Sequence, residues 1–219
     1  MGTQRGALVV FEGLDRSGKS TQCQRLVDVL RANGEEVHHM RFPNRSSPIG
    51  QMINSYLSGQ AQQDDHAIHL LFSANRWESV RELEERINAG ATVIVDRYYY
   101  SGCVYSAAKH IPSMDLEWCR SPDVGLPRPD VCIFLDISAE EQAKRGGFGE
   151  ERYEKRELQD RVRECYHEMR KHPDEHADMV IVDAGRGMEE VEQEIAEVVR
   201  RVRKNVEGGE SRLRTVQRW

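Results

Sequence analysis

Residues 13–20 read Gly13-Leu14-Asp15-Arg16-Ser17-Gly18-Lys19-Ser20, directly after the apolar run Leu8-Val9-Val10-Phe11. A strand, a Gly-rich loop and a helix N-terminus in this order make a nest of backbone N–H groups that holds a di- or triphosphate. The competing reading of the segment is a turn that happens to be rich in Gly and Ser.

The rest of the chain supplies the sheet that such a loop needs. Apolar, β-branched runs recur over residues 8–11, 37–42, 92–95, 131–135 and 179–182, with helical patterns between them. Near-continuous apolar strands alternating with helices indicate an α/β fold: a P-loop NTPase-type parallel sheet of about five strands with helices on both faces. Helices are expected over residues 21–32, 64–89, 138–144, 155–171 and 188–203. Gly34 and Gly90 stop the first two, and His172-Pro173 breaks the chain after the fourth. Residues 1–5 are expected as an N-terminal tail, 6–203 as the domain and 204–219 as a polar tail. Trp219 is a candidate for docking, but the tail is expected to fray.

With 219 residues, 38% hydrophobic and 31% charged, the chain can bury a full core. Its net charge of −6 argues against binding nucleic acid or a membrane through the chain as a whole. An anionic ligand must then be held by local positive charge. Residues 1–7 lack the apolar core of a secretory signal, and no run of about 18 apolar residues is present. Gly6 stands where an N-myristoylation motif wants Ser or Thr. The five cysteines lie far apart with no C-x-x-C pair, which points to neither a zinc site nor a disulfide framework. A cytoplasmic protein is expected.

Ligands of open parallel sheets bind beyond the carboxyl ends of the strands. In the first loop, Lys19 reaches the β- and γ-phosphates, the Ser20 hydroxyl suits Mg²⁺, and Arg16 can spread charge at the transferred group. Asp15 is a puzzle there, because a carboxylate beside a phosphate cradle needs another partner. A sugar hydroxyl or a metal-bound water would provide one. After the second strand, Arg45 follows Phe42-Pro43-Asn44. After the third, Asp96-Arg97 combines a metal-side carboxylate with a second clamp, or else forms a structural pair. Tyr98 to Gly102 then reads as aromatic surface and a turn. Arg145 and Arg152 flank Gly146, Gly147 and Gly149, a composition that suits a mobile lid over about residues 138–157. Phe72 and Arg76, four apart on the long helix, share a face that can stack on a base and bond its edge.

No H-R-D or D-F-G segment speaks for a protein kinase, and no N-K-x-D segment for a GTPase switch. A phosphate acceptor is mostly dianionic at neutral pH and needs cations rather than a base. The several arginines at strand ends therefore point to a nucleoside-monophosphate kinase. A deoxynucleoside kinase would need a carboxylate base, for which Glu12 is the candidate. A nucleotide-dependent interaction module without turnover is the third reading.

The chain resembles the thymidylate kinase family of eukaryotic type. The resemblance is carried by residues 11–22, by Arg41-Phe42-Pro43-Asn44-Arg45, by Asp96-Arg97-Tyr98 with Ser101-Gly102, by residues 122–130 and by residues 145–153. It covers about residues 6–203 and implies ATP + dTMP ⇌ ADP + dTDP with Mg²⁺. It further implies that Asp15 binds the acceptor 3′-hydroxyl, Phe72 stacks on thymine, and Arg76 bonds the base edge. Arg45 and Arg97 would hold the dTMP phosphate, with Ser101 and Gly102 near the base and Tyr105 and Tyr153 at the sugar. Phe42, Leu57 and Arg152 are expected in the same substrate site. Gly13, Arg16, Ser17, Gly18, Lys19, Ser20, Thr21, Arg145 and Arg186 are expected at ATP, and Ser20 and Asp96 at the metal. Asp15, Arg16, Lys19, Arg97 and Arg145 form the expected catalytic set, and a homodimer is implied. Two departures stand out: Asn44 replaces the acidic residue frequent before the arginine, and Cys103-Val104 is bulkier than the usual small pair.

Overall fold

Alternation along the first strand divides the core. In the computed structural model, which describes residues 4–145, 152–153, 155–208 and 212–219, strand β1 (Leu8–Gly13) is buried along its whole length. Leu8 and Val10 pack on one side of the sheet and Val9 and Phe11 on the other. Period-two side chains that are apolar on both faces belong to a strand covered twice.

Strands β2 (Val37–Arg41), β3 (Thr92–Asp96), β4 (Val131–Asp136) and β5 (Met179–Asp183) complete a sheet ordered β2-β3-β1-β4-β5. Every pairing is parallel. Helices α1 (Lys19–Ala32) and, later in the chain, α10 (Met188–Glu207) cover one face, contributing Leu26, Val27, Ile195 and Val199. The other face is covered by α4 (Val80–Asn88), α5 (Tyr99–Ala107) and α8 (Arg156–Met169), through Leu83, Ile87, Val104 and Val162. The remaining helices are α2 (Pro48–Leu57), α3 (Asp65–Trp77), α6 (Leu116–Arg120), α7 (Ala139–Lys144) and α9 (Pro173–Asp178). The reversal of strand order around β1 puts a crevice at the carboxyl ends of β1 and β3.

Three expectations change. The single helix over 64–89 is two helices, because Ser79 makes a tight bond to the Arg76 carbonyl (3.0 Å) and restarts the ladder at Leu83. Tyr98 to Gly102 is no surface turn: Tyr98, Tyr99 and Tyr100 are fully buried and Tyr99 begins α5. The C-terminal segment does not fray. Val216 is fully buried, and Pro127 and Thr215 form an antiparallel bridge. The glycines at 146, 147 and 149, central to the expected lid, lie outside the described residues. Among the described residues no helix is long and apolar enough to cross a membrane.

Candidate active site

The phosphate loop follows from two glycines. Gly13 has φ +138°, and a Cβ there would lie 2.5 Å from the Leu135 carbonyl oxygen. Gly18, at φ +93°, is the N-cap of α1, and no side chain caps the helix. The amides of the first turn thus open toward the loop, where an anion can meet them. Arg16 and Arg97 also carry positive φ (64° and 67°). Such conformations cost a non-glycine residue about 1–2 kcal/mol and cluster at functional sites.

Lys19 folds back onto its own loop, donating to the Leu14 carbonyl (2.5 Å) and to Ser17 Oγ (3.4 Å). Burial, aided by the nearby charge of Arg97, pushes its ammonium down to about 8, against the pull of Asp15, Asp96 and Glu12. The Ser20 hydroxyl donates to Asp96 Oδ2 (2.6 Å). Asp96 is buried, and its Oδ1 has no hydrogen-bond partner among the described residues. A hydroxyl and an orphaned carboxylate oxygen beside a phosphate nest fit a hydrated divalent cation. No three His, Cys, Asp or Glu side chains converge into a protein-only metal cage among the described residues. A cation here would have to share its coordination with phosphate and water.

Facing the loop is a cleft of about 410 Å³. Asp15, Arg16, Gly18, Lys19, Ser20 and Thr21 line one end, and Phe42, Arg45, Leu57, Phe72, Arg76 and Arg97 continue the wall with Ser101, Gly102, Tyr105 and Tyr153. Asp15 finds its partner in Arg97, with which it forms an ion pair. Gln159 Nε2 donates to Asp15 Oδ2 (2.7 Å) and Gln159 Oε1 accepts from the Asp15 amide (3.2 Å). Burial works against the Asp15 charge, but Arg97 and Lys19 outweigh it and hold the carboxyl below its ordinary range. Arg97 also reaches Ser101 Oγ (3.2 Å) and the Tyr105 hydroxyl (3.4 Å).

Arg76 is buried and held in a fork by the fully buried Asp123, through Nε (3.0 Å) and an Nη (2.7 Å). Its guanidinium lies so close to Gly102 that a Cβ there would be 2.7 Å from it. Glycine is therefore required at 102 for close approach rather than for backbone freedom. Asn44 shapes a turn, accepting from the Ser46 amide (3.1 Å) and hydroxyl (2.6 Å), while Arg45 reaches Asn54 Oδ1 (2.9 Å). Cys103 and Val104 are both fully buried behind Tyr105.

Glu12 is committed elsewhere. Fully buried, it accepts from the amides of Tyr98 (2.8 Å) and Ser101 (3.0 Å) and from the hydroxyls of Ser101 and Tyr166. It anchors the start of α5 from the neighbouring strand. With four donors already on its two oxygens, it is no candidate base.

Three expected residues stand outside the cleft. Arg145 spans from the Arg16 carbonyl (3.1 Å) to the Ala184 carbonyl (2.5 Å), over the phosphate loop. Arg152 lies over the Tyr56 ring (4.1 Å) and bonds the carbonyls of Tyr56 and Ala61 (3.1 and 3.2 Å). Arg186 pairs with Glu194. Gly13, Ser17 and Asp96 sit behind the cleft surface and shape it from there. Sequence reasoning missed Gln159, Asp123 and Arg41, whose Nε is 3.5 Å from Asp96 Oδ2. Arg41 and Asp123 belong to segments that carry the family resemblance, whereas Gln159 is an unremarkable position on a polar helix and gives no signal.

Residues 11–195 match the family model described as thymidylate kinase. A thymidylate kinase of Arabidopsis thaliana is 50% identical over 195 residues, covering 89% of this chain and 71% of the relative. That of Homo sapiens is 46% identical over 195 residues, covering 89% and 90%. The solved structure of thymidylate kinase from Candida albicans, described for its broad substrate specificity, superposes with a TM-score of 0.83 at 37% identity. That match covers 97% of this chain and 99% of the other.

Proposed function

The chain belongs to the thymidylate kinase family and phosphorylates dTMP to dTDP with ATP as donor, a step in dTTP synthesis; from that premise we propose how its residues divide the work. The amides of residues 13–21 and the Lys19 ammonium cradle the donor phosphates, while Arg16 and Arg145 spread the charge that develops on the γ-phosphoryl. When bound, magnesium neutralises the β- and γ-phosphate oxygens, and the Ser20 hydroxyl and the Asp96 carboxylate would hold it. Phe72 stacks on thymine, Arg76 donates to the base edge, and Ser101 and Gly102 lie beside it. Phe42 and Leu57 form apolar wall, and Tyr105 and Tyr153 bear on the sugar.

Arg97 exchanges Asp15 for the acceptor phosphate, joined by Arg45, and Asp15 then accepts from the 3′-hydroxyl. Arg152 and Arg186 take part once nucleotide replaces their present partners. No general base is needed, since the acceptor already carries its charge at neutral pH. The active form is a homodimer. A cytoplasmic location is supported by five free cysteines, four of them buried.

The observation that carries this reading is the shared cleft: a phosphate loop at one end and Phe72 with a forked, buried arginine at the other. Coupled ADP release with ATP-Mg²⁺ against a panel of monophosphates tests it. The expected order has dTMP first. Turnover of CMP or AMP without turnover of dTMP would end it. The engagement of Glu12 speaks against a deoxynucleoside kinase, whose signature in the same assay would be thymidine-dependent ADP release.

A further inference from the structure

The C-terminal residues 212–219 bind the back of the base pocket. Gly125 N donates to the Val216 carbonyl, Val216 N to the Leu126 carbonyl and Arg128 N to the Arg214 carbonyl, each at 2.8 Å. This short antiparallel pairing is locked at both ends. The Trp219 ring stacks on His172 (centroids 3.7 Å apart, interplanar angle 2°), its Nε1 donates to Glu175 Oε2 (2.9 Å), and the Arg120 guanidinium lies over it (4.8 Å). Arg120 is itself buried, donating to Glu175 Oε1 (2.8 Å) and to the Gln217 carbonyl. At the other end Arg214 reaches the Pro129 carbonyl (2.6 Å) and Asp178 Oδ1 (3.0 Å).

The strand partner of this segment begins just after Asp123. The Leu126 amide bonds the Asp123 carbonyl (3.1 Å). Asp123 is the fork that aims Arg76 and also accepts from Ser73 Oγ (2.8 Å). Gly125, at φ +100°, turns the chain against Trp77, whose Nε1 bonds the Pro122 carbonyl (2.8 Å). The path from the chain end to the cleft is therefore continuous: Trp219 and Val216, then residues 124–128, Asp123, Arg76, and the base edge. Groups buried among such partners shift out of line when one support is removed.

We propose that residues 212–219 act as a strap that positions Arg76 against the acceptor base, with Trp219 as its anchor. Arg76 touches the base on the functional reading above, and this inference rests on that reading; the strap residues act only through Asp123. A guanidinium that donates to the base edge favours the thymine O4 acceptor over the cytosine amino donor. A loosened Arg76 should therefore weaken dTMP binding and blunt this discrimination while sparing ATP.

Two point variants, Trp219→Ala and Trp219→Phe, and a deletion of 212–219 test it. Trp219→Ala should raise KM for dTMP about tenfold, the scale of one hydrogen bond to a charged group, and leave KM for ATP within about twofold. The ratio of kcat/KM for dTMP over dCMP should narrow. Trp219→Phe keeps a ring on His172 and should recover most of both effects. Amide hydrogen exchange, read without nucleotide, should show residues 121–128 losing protection in Trp219→Ala. A lower melting temperature with unchanged dTMP KM and unchanged base ratio would overturn the strap, as would a parallel rise in both KM values. If the deletion fails to fold, the point variants decide. If the unmodified chain shows no turnover of dTMP, the functional reading falls, and unaltered exchange at 121–128 would independently sink the strap.

Discussion

Among the described residues, the Lys19 ammonium touches no carboxylate and bonds only a carbonyl and a hydroxyl of its own loop. Its ammonium sits at about 8 because burial opposes the charge. An anion bound there raises the pKa, so binding needs the protonated form and weakens as pH rises through the value of the free protein. ADP affinity measured by calorimetry should be level below pH 8 and fall about tenfold per pH unit above it. A flat profile to about pH 9.5 would mean that Lys19 titrates as an ordinary lysine. At this scale the residues that line the cleft were legible, because phosphate chemistry demands particular side chains at strand ends. Their supports were not. Gln159 meets Asp15 from a helix more than a hundred residues away, and no local pattern announces that contact.

Four of the five strands were legible because they are apolar on both faces, the edge strand β2 (Val37-His38-His39-Met40-Arg41) gave a weaker signal, and α1 and α10 were legible because their apolar stripes are long. Shorter helices escaped despite local signals. Ser47 caps α2 and accepts from Gly50 N, with Pro48 at the first helical position. Pro173 does the same for α9, so His172-Pro173 marks both the expected break after α8 and the start of a further helix. Asp115 caps α6. These are ordinary N-terminal signatures. For α5 there was no such signature, because its cap is Glu12, supplied by a strand 86 residues away. Replacing Glu12 by Gln keeps its shape and leaves an oxygen to accept from both amides, but it removes the carboxylate charge and turns an amide donor toward the Ser101 and Tyr166 hydroxyls. Urea unfolding should show Glu12→Gln to be less stable by about 1–3 kcal/mol. Equal stability would mean that α5 holds its start without the carboxylate.

At the scale of the whole molecule, Leu70 and Trp77 share one face of α3, two turns apart, and are 47% and 40% exposed. Met52 on α2 is exposed as well. Sedimentation should give a dimer at micromolar concentration, and Leu70→Lys should shift it toward monomer with the circular dichroism unchanged. A monomer from the unmodified chain would count against the proposed homodimer. The sheet also segregates tasks. The phosphate loop leads into α1 on one face, whereas Phe72, Arg76, Gly102 and Tyr105 ride on α3 and α5 on the other side. Each layer has its own apolar core, and the sheet runs between them, with β1, β3 and β4 sending side chains to both. Inherited changes around α3 and α5 can retune which nucleobase is welcomed with little disturbance of α1 and its grip on the energy-rich triphosphate, so selectivity and driving force are largely separate traits in this scaffold, joined where Arg97 meets Asp15.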